Sequence, residues 1–71
     1  MKTVILTKEE ARLSYATAHG KLEVYAAFVS HTDDGMIEVE ANESGEPLFT
    51  SYAGRRHTKA ELDEQFKRYA P

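Results

Sequence analysis

The chain contains no cysteine and no tryptophan, and it has only four glycines and two prolines among its 71 residues. Without cysteine it forms neither a disulfide nor a thiolate metal site, which excludes the disulfide-stapled secreted scaffolds. A domain this small has a small core, and its net stability is usually only about 3–5 kcal/mol. Oligomerisation is the remaining way to bury more apolar surface, so a homodimer is one arrangement that we consider.

Long apolar runs are missing too. The apolar stretch near the start ends before the charged residues that begin at Lys8. A membrane span needs about 20 apolar residues, and a signal peptide needs a longer apolar region than this one. We therefore expect a single soluble domain, residues 1–71, that lies in the cytoplasm and makes no membrane contact.

The motifs of common catalytic and metal centres are also absent. The three histidines, His19, His31 and His57, are too far apart for a motif such as H-E-x-x-H, and the chain has no Gly-x-Ser-x-Gly elbow. Carboxylates are plentiful, but no spacing singles out a pair for acid–base chemistry. The sequence therefore predicts a protein that is not an enzyme and that holds no metal and no cofactor.

The first twenty residues predict a strand followed by a helix. Residues 2–6, KTVIL, are β-branched and apolar, which suits a buried strand. Thr7 and Glu10 have the spacing of a capping box, the residues after them lack glycine and proline, and Gly20 stands where a helix would end. We expect a helix over residues 8–19.

The next segment, residues 21–30, fits a strand by its alternating apolar residues and a helix by others at helical spacing. We favour the strand, because HTDDG at 31–35 followed by MIEVEA at 36–41 is typical of a hairpin turn and its return strand. If residues 21–30 are helical instead, the hairpin disappears. In the return strand, Glu38 and Glu40 would share one face.

The last third of the chain predicts a strand and a second helix. Residues 48–53, LFTSYA, suit a strand, and Thr58 with Glu61 repeats the capping-box spacing. Leu62, Phe66 and Tyr69 then fall on one side of a helix. The predicted fold class is α+β, a small single domain of order β-α-β-β-β-α, with an antiparallel sheet and two helices packed on one face.

The formal net charge of −3 hides a strong asymmetry. Residues 21–46 contain seven acids and a single base, Lys21, which gives this segment a net charge of −6. Such a cluster either keeps a small protein soluble or forms a patch complementary to a basic partner. The residues predicted to bind a protein partner are Asp33, Asp34, Glu38 and Glu40, with Glu23 and Glu43 at the periphery.

The opposite charge is concentrated in the turn that precedes the last helix. Arg55, Arg56 and His57 stand where backbone N–H groups and the helix dipole favour an anion, so they are candidate contacts for a phosphate or a nucleic acid. Lys59 and Lys67 would extend that surface, as would Arg68. The chain lacks a glycine-rich phosphate loop and is acidic overall, so the more favoured alternative is a local salt bridge to the acidic hairpin.

Three hypotheses about function follow. The first is a non-enzymatic protein-interaction module, a small acidic inhibitor or adaptor that docks on a basic surface of a partner protein such as a nucleic-acid-handling enzyme. Phage-encoded inhibitors of host defence, such as anti-restriction and anti-CRISPR proteins, are comparable in size and charge, though no motif links them to this chain. The second is a nucleic-acid or phosphate-binding accessory protein that uses the basic turn. The third is a homodimer that pairs strand edges or the aromatic residues Tyr25, Phe49 and Tyr52.

Overall fold

The structure is a computed structural model that describes residues 1–51 and 54–67, and these residues form seven strands and one helix. In chain order the elements are β1 (Lys2–Leu6), β2 (Arg12–Thr17), β3 (Gly20–Tyr25), β4 (Phe28–His31), β5 (Ile37–Ala41), β6 (Leu48–Thr50), β7 (Arg56–Thr58) and α1 (Lys59–Phe66).

All the strand pairs are antiparallel. Strands β1, β5 and β4 form a three-stranded sheet with β5 in the centre, while β2 pairs with β3 and β6 pairs with β7. Two isolated bridges, Ala26 to Phe49 and Ala41 to Pro47, connect these three sheets. The architecture is thus broadly α+β, as expected, but the described residues contain one helix where the sequence predicted two.

The helix predicted over residues 8–19 is wrong. Its capping box is present, because the Thr7 N–H donates to Glu10 Oε1 at 2.9 Å and the Glu10 N–H donates to Thr7 Oγ1 at 3.1 Å. The box closes one turn, in which the Ala11 N–H donates to the Thr7 carbonyl. The chain then continues directly into β2 at Arg12 instead of adding further turns.

Pairing with β3 explains why this segment is a strand. Leu13 lies opposite Val24 and Tyr15 lies opposite Leu22, so the alternate apolar residues of both strands contribute to the core. Gly20 ends the turn between them with a φ of 126°, a conformation that L side chains rarely adopt. The glycine that was predicted to end a helix therefore belongs to a hairpin.

The strand interpretation of residues 21–30 is correct, but the structure divides the segment into β3 and β4. Ala26 and Ala27 lie between the two strands and are both buried, so the alternation of buried and exposed residues is interrupted there. The predicted acidic hairpin is present: β4 and β5 pair around residues 32–36. A bulge lies in β4 between Phe28 and Ser30.

The end of the described chain is helical, as the second capping box predicts. The Thr58 hydroxyl accepts from the Glu61 N–H, the Glu61 carboxylate accepts from the Thr58 N–H, and α1 follows. Leu62 on this helix is 1% exposed, and Phe66 stacks on Tyr15 with ring centroids 4.9 Å apart. Tyr69, the third residue of the predicted apolar face, lies outside the described residues, as do Tyr52 and Arg68.

The hydrophobic core lies where the sheets and α1 meet. Its largest fully buried side chains are Phe49, Leu62 and Val39, which come from β6, α1 and β5. Phe49 is only 2% exposed, so within this chain its side chain is part of the core and offers no surface for the aromatic contact considered for a homodimer. The described part of the chain has no helix that is long and apolar enough to cross a membrane.

Candidate functional site

The central strand β5 separates its side chains between two faces of the three-stranded sheet. Val39 pairs with Val4 and is fully buried, so this side is the inner face. The intervening residues face the other way, where Glu38 lies opposite Ile5 and Glu40 lies opposite Thr3. We call this outer surface, made of Thr3, Ile5, Ser30, Glu38 and Glu40, the acidic face.

Two hydroxyl groups hold the Glu38 carboxylate in place. Thr3 Oγ1 donates to Glu38 Oε2 at 2.6 Å from β1, and Ser30 Oγ donates to Glu38 Oε1 at 2.9 Å from β4. These hydrogen bonds, the one from Thr3 first, lower the pKa of Glu38 because they favour its charged form. Both neighbouring strands therefore orient this one carboxylate and keep it ionised.

The second acid of the face, Glu40, is paired with the basic turn. Arg56 Nε lies 2.5 Å from Glu40 Oε2, and the Arg56 guanidinium also donates through Nη1 to the Gly54 carbonyl. The two side chains are 42% and 26% exposed, for Arg56 and Glu40 respectively. The local salt bridge considered as an alternative for the arginines is thus present, and it offsets one of the two negative charges of the acidic face.

The other described residues of the predicted anion-binding surface differ in their exposure and in their partners. Arg55 is exposed and His57 is half-buried opposite Phe49. Lys59 lies 2.8 Å from Asp63. Lys67 likewise pairs with Glu64 at 2.9 Å.

The helix N-terminus already carries a carboxylate of its own chain. The Glu61 side chain accepts from the Thr58 N–H, and this bond, followed by that from the Thr58 hydroxyl, lowers the pKa of Glu61. A negative charge at this position interacts favourably with the helix dipole. An incoming phosphate would meet this carboxylate, so nothing in the geometry favours the nucleic-acid hypothesis over the salt bridge.

The other acids predicted to contact a partner lie away from the acidic face. Asp33 and Asp34 lie in the β4–β5 turn. Asp34 accepts from the Thr32 hydroxyl and from the Met36 N–H, and these hydrogen bonds lower its pKa. Glu43 lies beyond the opposite end of β5, in a turn whose Glu43 carbonyl accepts from Lys2 Nζ at 2.7 Å. A five-residue strand spans about 13 Å at about 3.3 Å per residue, so these two turns are well separated.

Glu23 lies on the β2–β3 hairpin and not on the three-stranded sheet. Its carboxylate accepts from the Tyr25 hydroxyl at 2.8 Å, and Lys21 lies 3.9 Å away. Of the six predicted acids, the structure therefore brings only Glu38 and Glu40 onto one face.

Sequence reasoning missed the uncharged members of this face. Thr3 and Ser30 are the two donors to Glu38, and Ile5 lies beside it with 49% of its surface exposed. The alternation within KTVIL places Thr3 and Ile5 on a common side of a strand. Their position opposite the two glutamates depends on the pairing of β1 with β5, for which the local sequence carries no signal.

The described residues contain no group of three or more His, Cys, Asp or Glu side chains that could hold a metal ion. Comparison with protein-family models, with curated proteins and with solved structures gave no match to this chain.

Proposed function

We propose that this protein is a non-enzymatic interaction module whose acidic face binds a basic surface of a partner protein. The observation that carries the proposal is the Glu38 carboxylate, which two strands hold in position from both of its oxygens on an outward-facing surface. A solvated acid that only keeps a protein soluble needs no such fixed geometry. A binding acid gains from it, because less side-chain freedom is lost on association.

The neighbours of Glu38 suit a contact with a lysine or an arginine. A carboxylate has about four lone-pair sites, and the two hydroxyls occupy two of them, which leaves acceptor capacity for a cationic side chain. Ile5, beside it, supplies exposed apolar surface that the stem of such a side chain can cover. A charge next to an apolar contact is a common arrangement at protein interfaces.

Glu40 has a secondary role in this proposal. Because Arg56 already neutralises it, a partner gains less from Glu40 than from Glu38 unless it displaces the arginine. Reversing the charge of Glu38 should therefore weaken binding more than reversing that of Glu40. Electrostatic contacts of this kind raise the association rate and specificity more than the affinity itself.

The class of partner follows from charge complementarity. Enzymes that handle nucleic acids carry extended basic surfaces because they neutralise backbone phosphates. A small acidic domain that occupies such a surface would act as an inhibitor or an adaptor.

The test is affinity capture of partners from a lysate of the natural source, with nuclease and without it. Glu38→Lys is compared with Glu64→Lys, which makes the same change in net charge at an exposed helix position whose side chain is 71% accessible. We expect wild type and Glu64→Lys to retain the same protein after nuclease treatment, and Glu38→Lys to lose it. Capture should also weaken as salt is raised, since exposed charges are screened over about 8–10 Å at ordinary ionic strength.

Thr3→Val separates the positioning of the carboxylate from its charge. It removes one of the two donors to Glu38 but leaves the net charge unchanged. The proposal expects intermediate binding from this variant. If Glu38→Lys and Glu64→Lys behave alike, or if the captured material disappears with nuclease, the acidic face is not the binding surface.

A further inference from the structure

We propose that the protein has a second docking surface, an apolar groove on the inner side of the β4 edge that takes a large apolar side chain from an acidic peptide segment of a partner. The groove has a volume of about 420 Å³. Its lining includes the buried Ala11 and Ala26 and the half-buried Ile37, which we call the floor, together with the exposed Tyr25 and Phe28. This surface is independent of the acidic face, and it does not rest on the function proposed above.

The groove and the acidic face lie on opposite sides of the same sheet. Phe28 pairs with the buried Val39 and His31 pairs with Ile37, which places them on the inner side of the sheet, whereas Ser30 pairs with Glu38 on the outer side. The core does not extend over the inner side at the β4 edge, so Phe28 remains 57% exposed there. One partner on each side would make the domain an adaptor.

The exposed rings are held in a fixed arrangement. The Tyr25 hydroxyl donates to Glu23 at 2.8 Å, and the Phe28 ring lies 5.0 Å from the His31 ring, measured between centroids. Tyr25 and Phe28 are each more than half exposed, at 55% and 57%. Exposed aromatic side chains beside an apolar pocket are the usual anchors of a protein interface, because they bury a large area with few rotatable bonds.

Charge on the rim selects the chemistry of the occupant. Lys8 and His31 line the groove, and an adjoining depression shared with Lys8 and Tyr25 is lined by Arg12 and Glu9. In the adjoining depression Arg12 is offset by Glu9, and Glu23 accepts from the Tyr25 hydroxyl. The groove itself has one lysine and no carboxylate among its described lining residues, so it is locally positive in a chain whose net charge is −3. An apolar side chain with acidic neighbours is complementary to such a rim.

Strand addition at the β4 edge is the less suitable mode of binding. The strand has four residues and carries a bulge at Val29, and both features hinder the regular pairing of a further strand. A nucleic acid is less suitable as well, because a base stacks on a flat aromatic platform, whereas this floor is a depression lined by aliphatic side chains. The geometry therefore favours insertion of a side chain.

The experiment selects binders from a displayed library of random peptides on the immobilised full chain. We expect enrichment of sequences with one large apolar residue flanked by aspartate or glutamate. A synthetic fluorescent peptide of the enriched sequence is then titrated by anisotropy against the wild type and the variants. Phe28→Ser should weaken its binding by about tenfold or more, the loss typical of an interface anchor.

Two further variants keep the test decisive. Lys8→Glu, an exposed surface change that leaves the apolar floor intact, should also weaken binding several-fold and reduce its dependence on salt. The matched control is Ile5→Ser, which removes an exposed apolar side chain from the acidic face and should leave the affinity unchanged. Circular dichroism spectra of all the variants establish that they are folded.

Five outcomes would overturn the proposal. The first is that no peptide is enriched, and the second is that the enriched sequences lack acids. The third is that Phe28→Ser and Ile5→Ser lower the affinity equally, and the fourth is that a single-stranded oligonucleotide competes with the peptide. The fifth is a wild-type dimer, seen by mass, that Phe28→Ser dissociates, because the groove would then hold a second copy of this chain.

Discussion

Two segments of this chain begin with nearly the same sequence and fold differently. TKEE at residues 7–10 and TKAE at residues 58–61 form capping boxes with matching hydrogen bonds between the threonine and the glutamate. The first box is followed by a strand after one turn, whereas the second begins α1. A capping box therefore permits a helix to begin but does not decide whether the helix continues.

The residues that follow each box make the difference. After the first, Leu13 and Tyr15 occupy alternate positions that face the core, and β3 supplies apolar residues opposite them. After the second, Leu62 and Phe66 are four residues apart and fall on one side of a helix. Short helices are marginal in water without tertiary packing, so the periodicity that buries apolar surface determines which structure forms.

The largest effect on the free energy of unfolding is expected when the buried leucine of α1, Leu62, is truncated. Leu62→Ala deletes a fully buried side chain, which should cost about 2–5 kcal/mol in the free energy of unfolding. That approaches the whole stability of a domain of this size, about 3–5 kcal/mol. Urea denaturation measures the loss, and the half-buried Leu13→Ala in β2 is the control, expected to lose less. An equal or larger loss at Leu13 would contradict the comparison.

Removing the two caps separates their roles. Thr58→Ala should lower the free energy of unfolding by about 1 kcal/mol and reduce the helical signal in far-ultraviolet circular dichroism. Thr7→Ala should leave that signal unchanged, because the turn that it caps continues into β2. A fall in helical signal of the same size in both variants would show that the first box also begins a helix.

Several parts of the fold follow from local sequence. The acidic hairpin, the two faces of β5 and the cap of α1 were predicted from turn residues, alternation and spacing, and the structure confirms them. The helix expected over residues 8–19 rested on the capping box and on Gly20, and both are equally compatible with a single turn followed by a hairpin, which the alternation of Leu13 with Tyr15 indicates. Ala26 and Ala27 interrupt what the sequence predicts as one continuous strand, because residues from elsewhere in the chain bury both of them.

The candidate site was predictable only in part. That Glu38 and Glu40 share a face follows from the two-residue period of any strand. Their partners do not, because Thr3 is 35 residues from Glu38 and Arg56 is 16 residues from Glu40 along the chain. Strand pairing and the packing of the basic turn bring these groups together, and neither can be predicted from the local sequence.

A pair of threonine substitutions tests whether residues 12–17 form a strand, because threonine should stabilise a strand and destabilise a helix. Ser14 and Ala16 face outward on β2, so Ser14→Thr with Ala16→Thr should raise the free energy of unfolding by a few tenths of a kcal/mol, up to about 1 kcal/mol. The matched control places threonine at Ala60 and Gln65, exposed positions of α1, where it should destabilise the helix by about 0.5 kcal/mol per site. Destabilisation by both pairs would favour a helix in the first segment.

The smallest expected effect is the acid titration of the two caps. Hydrogen bonds from Thr7 lower the pKa of Glu10, and those from Thr58 lower the pKa of Glu61, to which the nearby His57 adds a smaller electrostatic contribution. Since each pKa is lower in the folded state, each glutamate stabilises the fold at pH values above the pKa of a glutamate in the unfolded chain, about 4.3. This contribution disappears as the pH falls through the folded pKa.

The NMR chemical shift of each side-chain carboxyl carbon, followed as the pH is lowered, measures the pKa of Glu10 and that of Glu61 separately. Thr7→Ala removes the hydroxyl but keeps the backbone N–H, the larger cause of the shift, so it should raise the pKa of Glu10 only part of the way to its unfolded value and leave that of Glu61 unchanged. Thr58→Ala should do the reverse. If the pKa of Glu10 in the wild type were not lower than that of a glutamate in the unfolded chain, the first box would not be formed in solution. The strand after it would then begin without a cap, and the two segments would differ from their first residue onward.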